Sequence, residues 1–136
     1  MKEALQNLRL LQAGMLASIA LYAGAAEVLA RAPGDANPSL SYAFSTISVA
    51  IVGVIFVVRR TLVLRSAQIL ADHPDDALSL QHWRNGYIAT YVLCESLALF
   101  GLIMRFTGFS FRQCLPFYTG GFVLLLFFGP RRPVSL

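Results

Sequence analysis

Four apolar runs, each closed by arginine, leave this chain few ways to fold. They cover residues 10–29, 40–58, 88–104 and 114–128. Behind them stand Arg31, Arg59 with Arg60, Arg105, and Gly129-Pro130-Arg131-Arg132. Of the residues, 57% are hydrophobic and only 13% charged, where a soluble domain carries about 25% charged residues. The chain is short of surface for water, and lipid is the alternative solvent. In hydrocarbon a lone segment satisfies its backbone hydrogen bonds only as a helix. That rule settles run two, where Ile47, Val49, Ile51, Val52, Val54, Ile55, Val57 and Val58 would otherwise suggest a strand.

The first run is about 30 Å long as a helix, enough to cross the hydrocarbon core. Ala23-Gly24-Ala25 resembles a signal cleavage site. The run is long for a signal peptide, however, and Glu3 dilutes the positive charge before it, so a retained span is expected. Runs three and four are short for the same thickness, and their helices are expected to extend past the apolar limits. Ser110 and Gln113 have capping-box spacing, which places the fourth span at 112–128 with Pro116 in its second turn. A polar stretch with two prolines, residues 31–38, separates the first two spans.

The distribution of arginine and lysine sets the expected orientation. With four spans, the N-terminus, the middle loop and the C-terminus share one side. They hold Lys2, Arg9, Arg59, Arg60, Arg65, Arg84, Arg131 and Arg132, against Arg31, Arg105 and Arg112 on the other. This bias places both termini in the cytoplasm. The expected fold is therefore all-α: one domain, residues 1–136, with four transmembrane helices at about 10–29, 40–58, 88–104 and 112–128. The expected location is a bacterial-type inner membrane.

Between spans two and three, residues 59–87 read as a helical cytoplasmic hairpin. Residues 61–71 can continue helix two, and Asp72-His-Pro-Asp-Asp76 has the composition of a turn whose last acid caps the next helix. His73, His82 and the three aspartates invite a metal reading. The histidines are nine apart, outside known ligand spacings, so no metal is expected. Arg59, Arg60, Arg84, Trp83, Arg131 and Arg132 suit the membrane interface as lipid anchors. Cys94 and Cys114 lie inside apolar runs and read as small buried residues.

Glu95 is the exceptional residue, a carboxylate at the centre of run three. An ionisable group at that depth is a functional-site hypothesis whose partner must be found. Tyr91, one turn earlier, is a candidate donor, and Ser45, Thr46 and Ser48 on helix two are others at similar depth. Arg84 and Arg105 lie about 15 Å away along the helix axis. Glu95 can stay protonated, accept hydrogen bonds from a neighbouring helix, or line a wet path and exchange a proton. Glu27 has Arg31 four residues on, the order that favours a helical ion pair. Ala20 and Gly24, Ala50 and Gly53, and Gly120 and Gly121 would let helices approach closely.

Residues 95–103, Glu-Ser-Leu-Ala-Leu-Phe-Gly-Leu-Ile, resemble the ion-carrying helix of the rotary ATPase c subunit. Residues 70–77, Leu-Ala-Asp-His-Pro-Asp-Asp-Ala, are similar to the polar turn of that hairpin. The likeness spans residues 45–106. It implies that Glu95, with Tyr91 beside it, carries a proton or sodium ion within an oligomer.

No Ser-His-Asp set, HExxH motif, paired carboxylates or glycine-rich phosphate loop is present, and no basic stripe interleaved with aromatics suggests nucleic acid. A membrane enzyme acting on a lipid headgroup through Arg59, Arg60, His82 and Arg84 is a further class, although anchoring to anionic lipid accounts for those residues equally well. The leading expectation is a non-catalytic accessory or scaffolding membrane subunit without cofactor, partnered by other membrane subunits or by copies of itself. The alternative is ion translocation through Glu95.

Overall fold

The computed structural model describes residues 1–29, 34 and 37–133. Helix α1, Lys2–Leu29, carries its inward residues at alternating spacings of three and four: Leu5, Leu8, Gln12, Met15, Ile19, Tyr22 and Ala26. That spacing keeps one stripe of a helix facing a neighbour. Helix α2, Pro38–Val58, opens with Asn37, whose side chain accepts from Ser39 N–H at 3.0 Å, and with proline in its first turn. Both are favoured start signals.

The chain does not break at Arg59-Arg60. It widens into a π-helical segment, Arg59–Leu64, and continues as α3, Arg65–Asp72, so 38–72 is one continuous rod. The arginines end the apolar stretch but not the helix, because arginine is itself a good helix former. A turn follows, and the Asp76 side chain caps α4, Ala77–Phe106, by accepting from Leu78 N–H at 3.2 Å. Gly108, at φ 105°, makes the sharp connection to α5, Phe111–Phe127. Ser110 and Gln113 close the full capping box at the start of α5, and the helix continues through Pro116.

Cross-helix contacts fix the directions. Tyr22 meets Glu95 and Glu27 meets Arg105, so α1 and α4 run the same way. Phe44 packs on Phe100 and Phe56 on Phe128, while Gln12 bonds the Leu125 carbonyl and the Arg131 amide reaches Tyr87. Helices α2 and α5 therefore run opposite to α4. Every other helix packs on α4, whereas α2 approaches neither α1 nor α5 closely along its backbone. The gap between α2 and α5 is a groove edged by Ser41, Ser45 and Ser48. Met1, Lys2, Arg132 and Pro133 line one cavity, which brings the start of α1 and the segment after α5 to the same end of the described structure.

The described residues are helical, without strands, and their outward faces are apolar: Val28 is 83% exposed and Val49 74%. A fold that places valine outward along whole helices suits hydrocarbon rather than water. Three helices are long and apolar enough to cross a membrane: Lys2–Leu29, Pro38–Asp72 and Ala77–Phe106. Helix α4 does extend past its apolar run, as expected. Helix α5 gains three residues before its run, but its 17 residues still give only about 25 Å, short of about 30 Å of hydrocarbon. The capping box fixes its start, and Gly129-Pro130 cannot continue it.

Candidate functional site

The polar groups of the apolar helices meet where α1 lies along α4. Tyr22 sits on the inward stripe of α1, between Ile19 and Ala26, which are both buried. Its hydroxyl donates to Glu95 Oε1 at 2.9 Å. Both residues are half-buried. Further along the same two helices, Arg105 Nε donates to Glu27 Oε1 at 2.9 Å and Nη1 to the Phe109 carbonyl at 3.3 Å. The guanidinium side of the pair is the covered one, with 8% of the Arg105 side chain exposed against 41% for Glu27. Both acids in the apolar region thus have partners on another helix, as expected where water cannot serve.

These partners differ from the expected ones. Tyr91 is buried, and its hydroxyl has no hydrogen-bond partner among the described residues. It packs on Tyr87, ring centroids 6.0 Å apart, as part of a ladder with Trp83. It faces that ladder and leaves Glu95 to Tyr22. Thr46 and Ser48 turn back to carbonyls of their own helix, at 2.9 and 2.7 Å, and Ser45 lines the α2–α5 groove. Glu27 reaches across to Arg105, and Arg31 lies outside the described residues. The missed signal was in α1, where Gln12 and Tyr22 both fall on the three-four stripe. A polar residue on an inward stripe needs a partner opposite.

Small residues divide into two sets. A Cβ on Gly121 would lie 2.6 Å from the Cys94 carbonyl, so α4 and α5 touch there backbone to backbone. Gly86 against Val63, at 2.7 Å, is nearly as tight, and Gly101 against Tyr118, at 3.0 Å, is close but less so; neither was foreseen. Ala20, Gly24, Ala50 and Gly53 lie exposed on the outer surface, and a Cβ on Gly24, Gly53 or Gly120 would meet nothing within 4 Å.

At the end where α1 starts and α5 finishes, Arg59 is half-buried, with its guanidinium 4.2 Å from the Phe128 ring centre and 5.4 Å from that of Tyr87. Trp83 is buried beneath Tyr87, instead of facing outward. Arg60, Arg84, Arg131 and Arg132 are exposed. Among the described residues no group of three or more His, Cys, Asp or Glu is placed to hold a metal ion. Cys94 and Cys114 are buried free thiols.

Fold and site define a chain whose described residues build helices without strands, three of them long and apolar enough to cross a membrane, with the acids of the apolar region held by neighbouring helices. No family model, curated protein or solved structure matches the chain. The c-subunit likeness stays local to residues 45–106, and the side chain that engages Glu95 comes from α1, outside that stretch.

Proposed function

We propose that this is a four-span integral membrane protein with both termini in the cytoplasm, acting as a non-catalytic accessory or scaffolding subunit. Helix α5 is the fourth span, and mismatch of a few ångströms is absorbed by local thinning or by side chains reaching to the interface. The lysine and arginine bias supplies the orientation. Arg59, Arg60, Arg84, Arg131 and Arg132 anchor the cytoplasmic face to anionic lipid.

The observation that carries this reading is the Tyr22–Glu95 hydrogen bond. It gives the most unusual residue of the chain a packing role, joining α1 to α4. The outward small residues of α1 and α2 leave room for partner helices in a larger assembly. Glutamine at position 95 keeps an acceptor for Tyr22, so Glu95→Gln is expected to fold and assemble as the parent does. Loss of ion flux across reconstituted bilayers, with assembly intact, would overturn the reading.

The second reading is proton or sodium translocation through Glu95 in a c-subunit-like oligomer. Glu95 favours it by being only half-buried, with the Tyr22 hydrogen bond engaging one of its carboxylate oxygens. A hydrophobic carbodiimide should then modify Glu95 across pH 5 to 9, with labelling that fades as pH rises. Silence at Glu95 while surface acids react would sink it.

A further inference from the structure

The cavity beside Arg59 has the composition of an anion site. It measures about 270 Å³ and lies between the π-helical segment, α4 and the chain after α5. Among the described residues Arg59, Arg131 and Arg132 line it, and no acidic side chain does. Arg59 Nη1 is buried and has no hydrogen-bond partner among the described residues. The rings of Phe128 and Tyr87 near the guanidinium attract its charge, but they offer no acceptor in the plane of its N–H bonds. A buried charged donor left without an acceptor is costly, so a ligand acceptor there would be strongly favoured.

Its surroundings specify the ligand further. Leu64 and Phe127, both well exposed, line the same cavity and give it an apolar lip on the outer surface. Arg132 also lines adjoining cavities with Lys2 and Arg9, extending the positive field across the end of the molecule. The one salt bridge among the described residues, Glu27–Arg105, is at the opposite end. Planar guanidinium forks match phosphate oxygens in geometry as well as charge. Small-molecule sites run from about 300 Å³ upward, so this volume suits a headgroup rather than a whole lipid.

We propose that Arg59, Arg131 and Arg132 form a binding site for a phosphate group, with an anionic phospholipid headgroup as its source and the acyl chains leaving over Leu64 and Phe127. Arg59 is the inner ligand, and the two later arginines close the rim. The site rests on the membrane reading above, and vesicle flotation of the parent protein tests that reading separately.

The test is native mass spectrometry of the detergent-purified chain titrated with phosphatidylglycerol, phosphatidylcholine or inorganic phosphate. The expected result is preferential retention of phosphatidylglycerol, weakened about tenfold or more by Arg59→Gln, the loss expected when a charge-assisted bond is removed. Because Arg59 is packed between rings, the exposed pair Arg131→Gln with Arg132→Gln is the second variant. It should weaken retention with helix content unchanged. Arg59-dependent retention of inorganic phosphate but not of lipid would uphold the phosphate site and assign it a soluble source. Equal retention of phosphatidylglycerol by the parent and both variants, in protein that floats with vesicles, would overturn the site alone.

Discussion

Tyr22 and Glu95, 73 residues apart in sequence, meet through a 2.9 Å hydrogen bond that joins two helices running in the same direction. Parallel neighbours in one chain cannot be consecutive spans, so the bond closes the fold across α2 and the hairpin. Tyr22→Phe keeps the ring and removes the donor. Interhelical hydrogen bonds in membrane proteins average about 0.6 kcal/mol. A carboxylate acceptor raises the expected cost to about 1–2 kcal/mol. Unfolding in mixed micelles, followed through the single buried tryptophan, Trp83, reads this directly. The same substitution in a Glu95→Gln background should cost less, and equal costs in both backgrounds would show that the contact does not couple the helices.

Much of the framework was legible because lipid imposes it. Apolar length gave α1, α2 and α4, and the turn at residues 72–76 followed from Pro74 and its flanking acids. The capping box at Ser110 and Gln113 was readable residue by residue. Pairing was not legible. Glu95 announced a need for a partner, but stepping along its own helix pointed to Tyr91. The actual donor depends on which face of α1 meets α4, and that is set by packing over the whole length of both helices. The π-helical segment escaped for a similar reason. Nothing local to residues 59–64 signals it, and its observable counterpart is a tight approach of Val63 to Gly86 on another helix.

Glycines separate into those that hold the fold and those that do not. Gly121→Ala would push a methyl group against the Cys94 carbonyl, a backbone atom that cannot swing away. Overpacking of that kind costs about 1–3 kcal/mol. Gly24→Ala and Gly53→Ala meet open space within the chain and should be neutral or stabilising by up to about 1 kcal/mol, since alanine is the better helix former. Thermal unfolding of the three variants in one detergent compares them. Loss of oligomer by Gly24→Ala or Gly53→Ala, with the monomer stable, would mark those faces as intermolecular contacts.

The Asp76 cap predicts an acid limb of stability. The Ser79 hydroxyl foremost, and then the backbone N–H groups of Leu78 and Ser79, hold the Asp76 carboxyl below the usual carboxylate range, assisted by His73. A carboxyl lowered on folding stabilises the fold above its unfolded value and loses that contribution as pH falls through the lower, folded value. The start of α4 should therefore be well protected at neutral pH and loosen below about pH 4, where a free aspartate protonates. Amide exchange at Leu78 and Ser79 across pH 2 to 7, corrected for intrinsic rates, measures it. Asp76→Asn keeps a capping side chain without the titration, so its protection should stay flat across the same range.

Glu27 and Arg105 are unequal partners, and the inequality predicts which substitution hurts. Arg105 is the covered member, held by Glu27 and by the Phe109 carbonyl, whereas Glu27 stands partly open. Glu27→Ala takes an acidic partner away from a covered guanidinium, and removing one member is the expensive way to break a pair. The expected loss is about 1–3 kcal/mol, discounted from the full buried-pair cost because Glu27 is open to its surroundings. Glu27→Gln retains an acceptor for Nε and should recover part of it. Glu3→Ala, at an exposed acid outside the pair, should stay within about 0.5 kcal/mol of the parent. Micellar unfolding at low and high salt completes the comparison: a Glu27 effect that disappears with added salt would mean the pair is solvated, and that the α1–α4 contact is held at this end by packing alone.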